Sequence, residues 1–132
     1  MKRVLAGLAA LMLVTAGAVA IASGTPAKGK TASTVFIKGE IVDTGCYMGR
    51  GAHGEKHKEC ALKCAANGMP IAILTDKGKL VLITPNHDNA DAFNKAKELA
   101  GANVEVSGTL MEKGGITAID VTSIKEIAAA TK

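Results

Sequence analysis

Three cysteines and one histidine carry most of the chemistry this sequence offers. Cys60 and Cys64 stand four residues apart, so on a helix one lies a turn above the other. His57 comes three residues before Cys60 and seven before Cys64, which predicts that all three share one helical face. Cys46 ends an expected strand, and the glycines after it allow the chain to bring it back. Three thiolates and an imidazole form a tetrahedral set suited to zinc. Three soft sulfurs suit Cu(I) equally. The expected metal ligands are therefore Cys46, His57, Cys60 and Cys64. His53 is a reserve, and His87 beside Asp88 reads as a surface residue. Met48 and Met69 flank the segment. A soft ion would recruit their sulfurs, but capping the apolar core is the more ordinary role.

The same cysteines admit a second reading. An exported chain usually oxidises its thiols. Cys46 joined to Cys60 or Cys64 would staple the loop to the first strand, a bridge worth about 3 kcal/mol in the chain-entropy account; Cys60 joined to Cys64 is a third pairing, strained by helical geometry. Any such pairing leaves one thiol over, which points to a ligand, an intermolecular bridge or a reactive group. Cys-x3-Cys is not the Cys-x-x-Cys of thioredoxins. An enzyme using a free cysteine is the weakest reading, because no base and orienting carboxylate stand out beside any cysteine. Gly49-Arg50-Gly51-Ala52-His53-Gly54 spells G-x-G-x-x-G, but the dinucleotide fingerprint needs a parallel βαβ unit, and a hairpin is expected here.

The amino terminus reads as a secretory signal. Lys2 and Arg3 precede an uncharged apolar stretch over residues 4–16, followed by Ala18-Val19-Ala20 and Ala20-Ile21-Ala22. The expected organisation is a signal peptide over 1–22, a polar lead-in over 23–33, one domain over 34–127 and a tail over 128–132. The expected location is the periplasm or the medium, with no membrane attachment after cleavage. An uncut anchor is the alternative. The chain carries 16 Lys+Arg and 12 Asp+Glu; without Lys2 and Arg3, 14 basic residues remain, a net +2. So small a charge selects no partner class. With no Trp, one Tyr and two Phe, stacking platforms for nucleic acid are scarce.

The elements that must position the cysteines follow from periodicity. Residues 35–44 alternate and are rich in β-branched side chains, which predicts a strand. Residues 45–54 read as a glycine-rich loop and 55–66 as a short helix stopped by Asn67-Gly68. Two apolar runs, 71–75 and 80–84, flank Asp76-Lys77-Gly78, a hairpin signal. A second helix is expected over 91–100, with Ala92, Phe93, Ala96, Leu99 and Ala100 on one stripe. Two more strands close the chain, joined by Gly114-Gly115. Five strands with a helix between the third and fourth match an OB-fold-like barrel, mainly β with two short helices. An open α+β sheet is the alternative. In an OB-fold the loop between the first two strands is a binding surface, and here it holds every cysteine.

Three sets of residues resemble a family of small exported bacterial proteins of undescribed function. They are Val42-Asp43-Thr44-Gly45-Cys46-Tyr47, His57-x-x-Cys60-Ala61-x-x-Cys64 and Gly68-Met69-Pro70, joined by Asn86-His87-Asp88-Asn89 and Ala118-Ile119-Asp120-Val121. The resemblance implies an exported domain and no particular activity. The cysteine pattern also resembles the TRASH-type metal-binding module, with a shorter spacer between Cys46 and Cys60. The strand order resembles periplasmic OB-fold stress proteins in architecture. Together these readings predict an exported domain binding Cu(I) or zinc, used in metal delivery, storage or sensing. A disulfide-stapled binding module, docking an exported protein or small ligand without metal, is the alternative.

Overall fold

The computed structural model describes residues 33–128. The expected signal peptide, nearly all of the expected lead-in and residues 129–132 lie outside the described residues. Alternation builds five strands: β1 (Thr34–Asp43), β2 (Ile71–Leu74), β3 (Leu80–Pro85), β4 (Asn103–Lys113) and β5 (Ile116–Glu126). They close into a barrel in the order β1-β2-β3-β5-β4. Every pairing is antiparallel except β3 with β5. The closed order agrees with the OB-fold-like expectation and removes the open sheet. The antiparallel β2–β3 hairpin also removes the βαβ unit that a dinucleotide fingerprint requires.

β1 is the strand on which the barrel turns. Its early residues pair with β4, and its later ones with β2; Glu40 stands opposite both Asn103 and Leu74. Gly39 sits at this changeover, where an added Cβ would run into the Leu74 carbonyl. Every second side chain then turns inward. Ile41, Ile71, Ile73, Val104, Val106, Ile119 and Val121 are fully or almost fully buried. Burial of each such side chain contributes about 1.5–3 kcal/mol relative to exposure.

Among the described residues three α-helices are present where two were expected: α1 (Thr44–Arg50), α2 (Lys58–Ala66) and α3 (Asp91–Glu98). A short 3-10 turn, Glu55–His57, leads into α2. α3 ends earlier than expected, and Leu99 and Ala100 continue as a turn. Its apolar stripe still seals the core, with Ala96 and Ala100 fully buried and Phe93 and Leu99 packed against them. α2 presents Ala61 and Ala65 to the same core. Cys60 and Cys64 each precede one of these alanines, so they lie about 100° round the helix, beside the core contact rather than in it. Gly101, at φ +82, lets the chain turn from α3 toward β4; an added Cβ there would also meet Lys58 Cα at 2.7 Å. α2 is thereby held close against the barrel end.

Candidate metal centre

The site is built outward from the last residue of β1. Asp43 is fully buried and leaves the strand at φ −73, ψ 131, the conformation of a helix N-cap. Its Oδ1 accepts the backbone N–H of Cys46 at 2.7 Å, which starts α1 at Thr44. Cys46 therefore lies in the first turn of a helix. Arg50, in the last turn, reaches back to donate to Cys46 Sγ at 3.2 Å. Gly51 ends the helix in the left-handed conformation, φ 67, with its N–H directed to the carbonyls of Cys46 and Tyr47.

A second carboxylate on β1 holds the loop that follows. Glu40 accepts the Gly54 N–H and pairs with His53 Nδ1 at 3.3 Å. The edge of the Tyr47–His53 contact, 5.9 Å between centroids, closes the loop on α1. The chain then enters the 3-10 turn and delivers His57 to the N-cap position of α2. There His57 Nε2 meets Asp43 Oδ2 at 3.1 Å. The far end of α2 is tied in as well. Thr44 donates its N–H and its hydroxyl to the Pro70 carbonyl at 2.9 and 3.0 Å, and Met69 N–H bonds the Cys64 carbonyl at 3.0 Å.

These ties bring the expected ligands together in two overlapping sets. Ligand atoms of Cys46, His57 and Cys60 all lie within 4.8 Å of one another. Those of Asp43, Cys46 and Cys64 do the same. Cys46 is common to both. In a tetrahedral zinc site with Zn–S near 2.3 Å, sulfurs stand roughly 3.8 Å apart, so modest side-chain rotations would contract either set onto an ion. All three cysteines are free thiols.

Comparison of the chain with protein-family models, with curated proteins and with solved structures finds no match. The resemblance to a small exported family therefore rests on its quoted residues alone. What the structure supports is a small five-stranded barrel carrying a cysteine–histidine cluster.

Several expectations need correction. Residues 45–54 are not simply a loop; α1 occupies most of the segment. His57 does not continue the α2 face down to Cys64. It sits on the 3-10 turn, whose three residues per turn break the α-helical register, and it groups with Cys46 and Cys60 instead. His53 is tethered to Glu40 and belongs to neither ligand set. Met48 and Met69 do not cap the core: they are 75% and 40% exposed. α1 has no fully buried residue, which leaves Met48 in solvent, and Met69 packs on Gly45, where an added Cβ would meet its sulfur at 3.0 Å. Asp43 stands in the quoted motif Val42-Asp43-Thr44-Gly45-Cys46-Tyr47 but was not among the expected site residues. Its signal was present, an N-cap residue type three before Cys46 with Arg50 and Gly51 marking the other end.

The electrostatics favour the protonated thiols of Cys46 and Cys64. Burial pushes Cys46 up, the Asp43 carboxylate adds to the shift, and Arg50 only partly opposes it. Burial likewise pushes Cys64 up to about 11, with the Cys60 thiol and Asp43 contributing. Burial would also raise Asp43, but the Cys46 amide and the His57 ring outweigh it and hold this carboxyl below its usual range. Contrary to the sequence reading, Cys46 does have a base and an orienting carboxylate beside it, in His57 and Asp43. The sign of its shift is opposite to what an activated thiol nucleophile requires.

Cys64 should accordingly alkylate slowly. At pH 8 a thiol near 11 is ionised roughly 200-fold less than a free cysteine near 8.5. The greater nucleophilicity of the more basic thiolate recovers part of this, leaving a rate roughly 20-fold lower. Mass-resolved iodoacetamide labelling of the reduced, metal-free protein measures it. Labelling of Cys64 at the rate of an unhindered free thiol would contradict the assignment.

Proposed function

We propose that this domain is an exported metal-binding module that holds one thiophilic ion, Zn(II) or Cu(I), for delivery, storage or sensing. The observation that carries this reading is the position of Cys46, whose sulfur completes a ligand set with His57 and Cys60 and another with Asp43 and Cys64. Cys46, His57, Cys60 and Cys64 are the proposed ligands. Export is proposed from Lys2, Arg3 and the apolar residues 4–16, which resemble a signal peptide. The ion comes from, or passes to, another exported protein.

Zinc is the better supported of the two ions. Three thiolates and a buried carboxylate accumulate negative charge that a divalent cation balances better than a monovalent one. An imidazole backed by a carboxylate is also the usual partner arrangement around zinc. Cu(I) remains suited to the three sulfurs.

Ligation needs thiolates and neutral imidazole, so binding releases protons and weakens in acid. With Cys46 and Cys64 both shifted upward, this loss begins at higher pH than for free thiols. The test is a chelator-competition titration of the reduced protein with zinc and with Cu(I), from pH 6 to pH 8, alongside native mass spectrometry. One equivalent bound tighter than micromolar, with affinity rising with pH, is expected. A reduced protein that binds neither ion at that level would leave the disulfide-stapled binding module standing. A native mass two hydrogens light would point the same way.

A further inference from the structure

We infer that Asp43 is a positioning residue that fixes the tautomer of His57, leaving Nδ1 as the ring nitrogen that faces the metal. The inference rests on the metal-binding reading of the site. Asp43 is fully buried, and burial of a carboxylate is costly unless its oxygens are paired. Both are paired: Oδ1 with the Cys46 N–H at 2.7 Å, Oδ2 with His57 Nε2 at 3.1 Å. The first bond alone does not call for a charge, since asparagine or serine caps a helix as well as aspartate does. The second bond places a proton once the side chain carries its ordinary charge, and aspartate is ionised at neutral pH. An ionised carboxylate oxygen only accepts, so the ring nitrogen facing it must carry the proton. Neutral His57 is thereby held as the Nε2–H form, and its lone pair lies on Nδ1.

His57 shares its ligand set with Cys46 and Cys60. A single buried carboxylate thus sets two of the proposed ligands at once, starting the helix turn that carries Cys46 and turning the imidazole toward the sulfurs. Carboxylate–histidine pairs of this kind orient metal-bound imidazoles and raise their basicity, and their loss lowers metal affinity about 10–100-fold.

Asp43→Asn separates this role from simple packing. The substitution keeps the size of the side chain and an oxygen for the Cys46 N–H. It places an amide donor against Nε2, which must then accept, so the proton moves to Nδ1 and occupies the ligating position. Nitrogen-15 NMR of the reduced, metal-free protein, at a pH where imidazole is neutral, reads the tautomer directly. The wild type is expected as Nε2–H and Asp43→Asn as Nδ1–H, with zinc affinity of the variant lower by about 10–100-fold. A wild-type His57 found as Nδ1–H overturns the inference and needs no variant. So does an Asp43→Asn protein that binds zinc as tightly as the wild type. If the wild type binds no zinc while His57 is Nε2–H, the metal reading fails and the tautomer assignment survives, so the two failures are distinct.

Discussion

Cys46→Ser is expected to reduce zinc affinity more than any other single side-chain change, by roughly 100- to 1,000-fold. Structural zinc sites bind with about 10–16 kcal/mol. Shared among four ligands this is about 2.5–4 kcal/mol each, and every 1.4 kcal/mol is tenfold. Cys46 stands at the top of that range because both ligand sets need it. Cys60→Ser leaves the ligands Cys46, His57 and Cys64, and Cys64→Ser leaves Cys46, His57 and Cys60, and in either variant Cys46 still stands within 4.8 Å of another proposed ligand. Each of these variants keeps that shared ligand and should lose less. The stapled alternative gives a different pattern. In the oxidised protein, Cys46→Ser and one of the other two serine variants would lose stability, and the third would be near neutral. Zinc titration of the reduced variants and urea denaturation of the oxidised ones therefore separate the readings. Equal zinc affinities for Cys46→Ser and the wild type would remove the site.

The barrel was legible because its elements bury something regular. Val104 and Val106, Ile71 and Ile73, Ile119 and Val121 alternate, and all are buried. The α3 stripe was legible for the same reason. α1 escaped because none of its residues is fully buried, so it leaves no hydrophobic period to read, and Gly45 and Gly49 lower its helix propensity. Convergence of the cysteines was legible from their spacing. The role of Asp43 was only half so. An N-cap residue is a local signal, but the partner of its second oxygen stands fourteen residues away, across a loop whose path depends on the Glu40 contacts. Burial of that carboxylate could not be read from a strand whose last residue looks like an ordinary polar end.

Gly108→Ala should destabilise the fold by about 3 kcal/mol, the upper end of what overpacking costs. Gly108 is buried on β4, opposite Val121 of β5, beside the irregularity between Ser107 and Gly108. An added Cβ would run into the Asp120 carbonyl oxygen and come within 3.0 Å of Ile119 Cγ1. The first obstacle is backbone, so it cannot rotate away. Relief requires β4 to move off β5, and β4 is also the strand that closes the barrel onto β1. Gly49→Ala is the control: nothing lies within 4 Å of an added Cβ there, and the site is helical, so this change should be neutral or stabilising by up to about 1 kcal/mol. Urea midpoints of the reduced, metal-free proteins measure both. A Gly108→Ala midpoint equal to that of the wild type would contradict the tight β4–β5 approach. The same variant also reports on the site. Gly108 touches no proposed ligand, so the folded variant should still bind zinc. An ion that binds only the folded chain at 100 times its Kd adds about 2.7 kcal/mol. Zinc should therefore return most of the stability that Gly108→Ala removes, and Cys46→Ser in the same background should abolish that return.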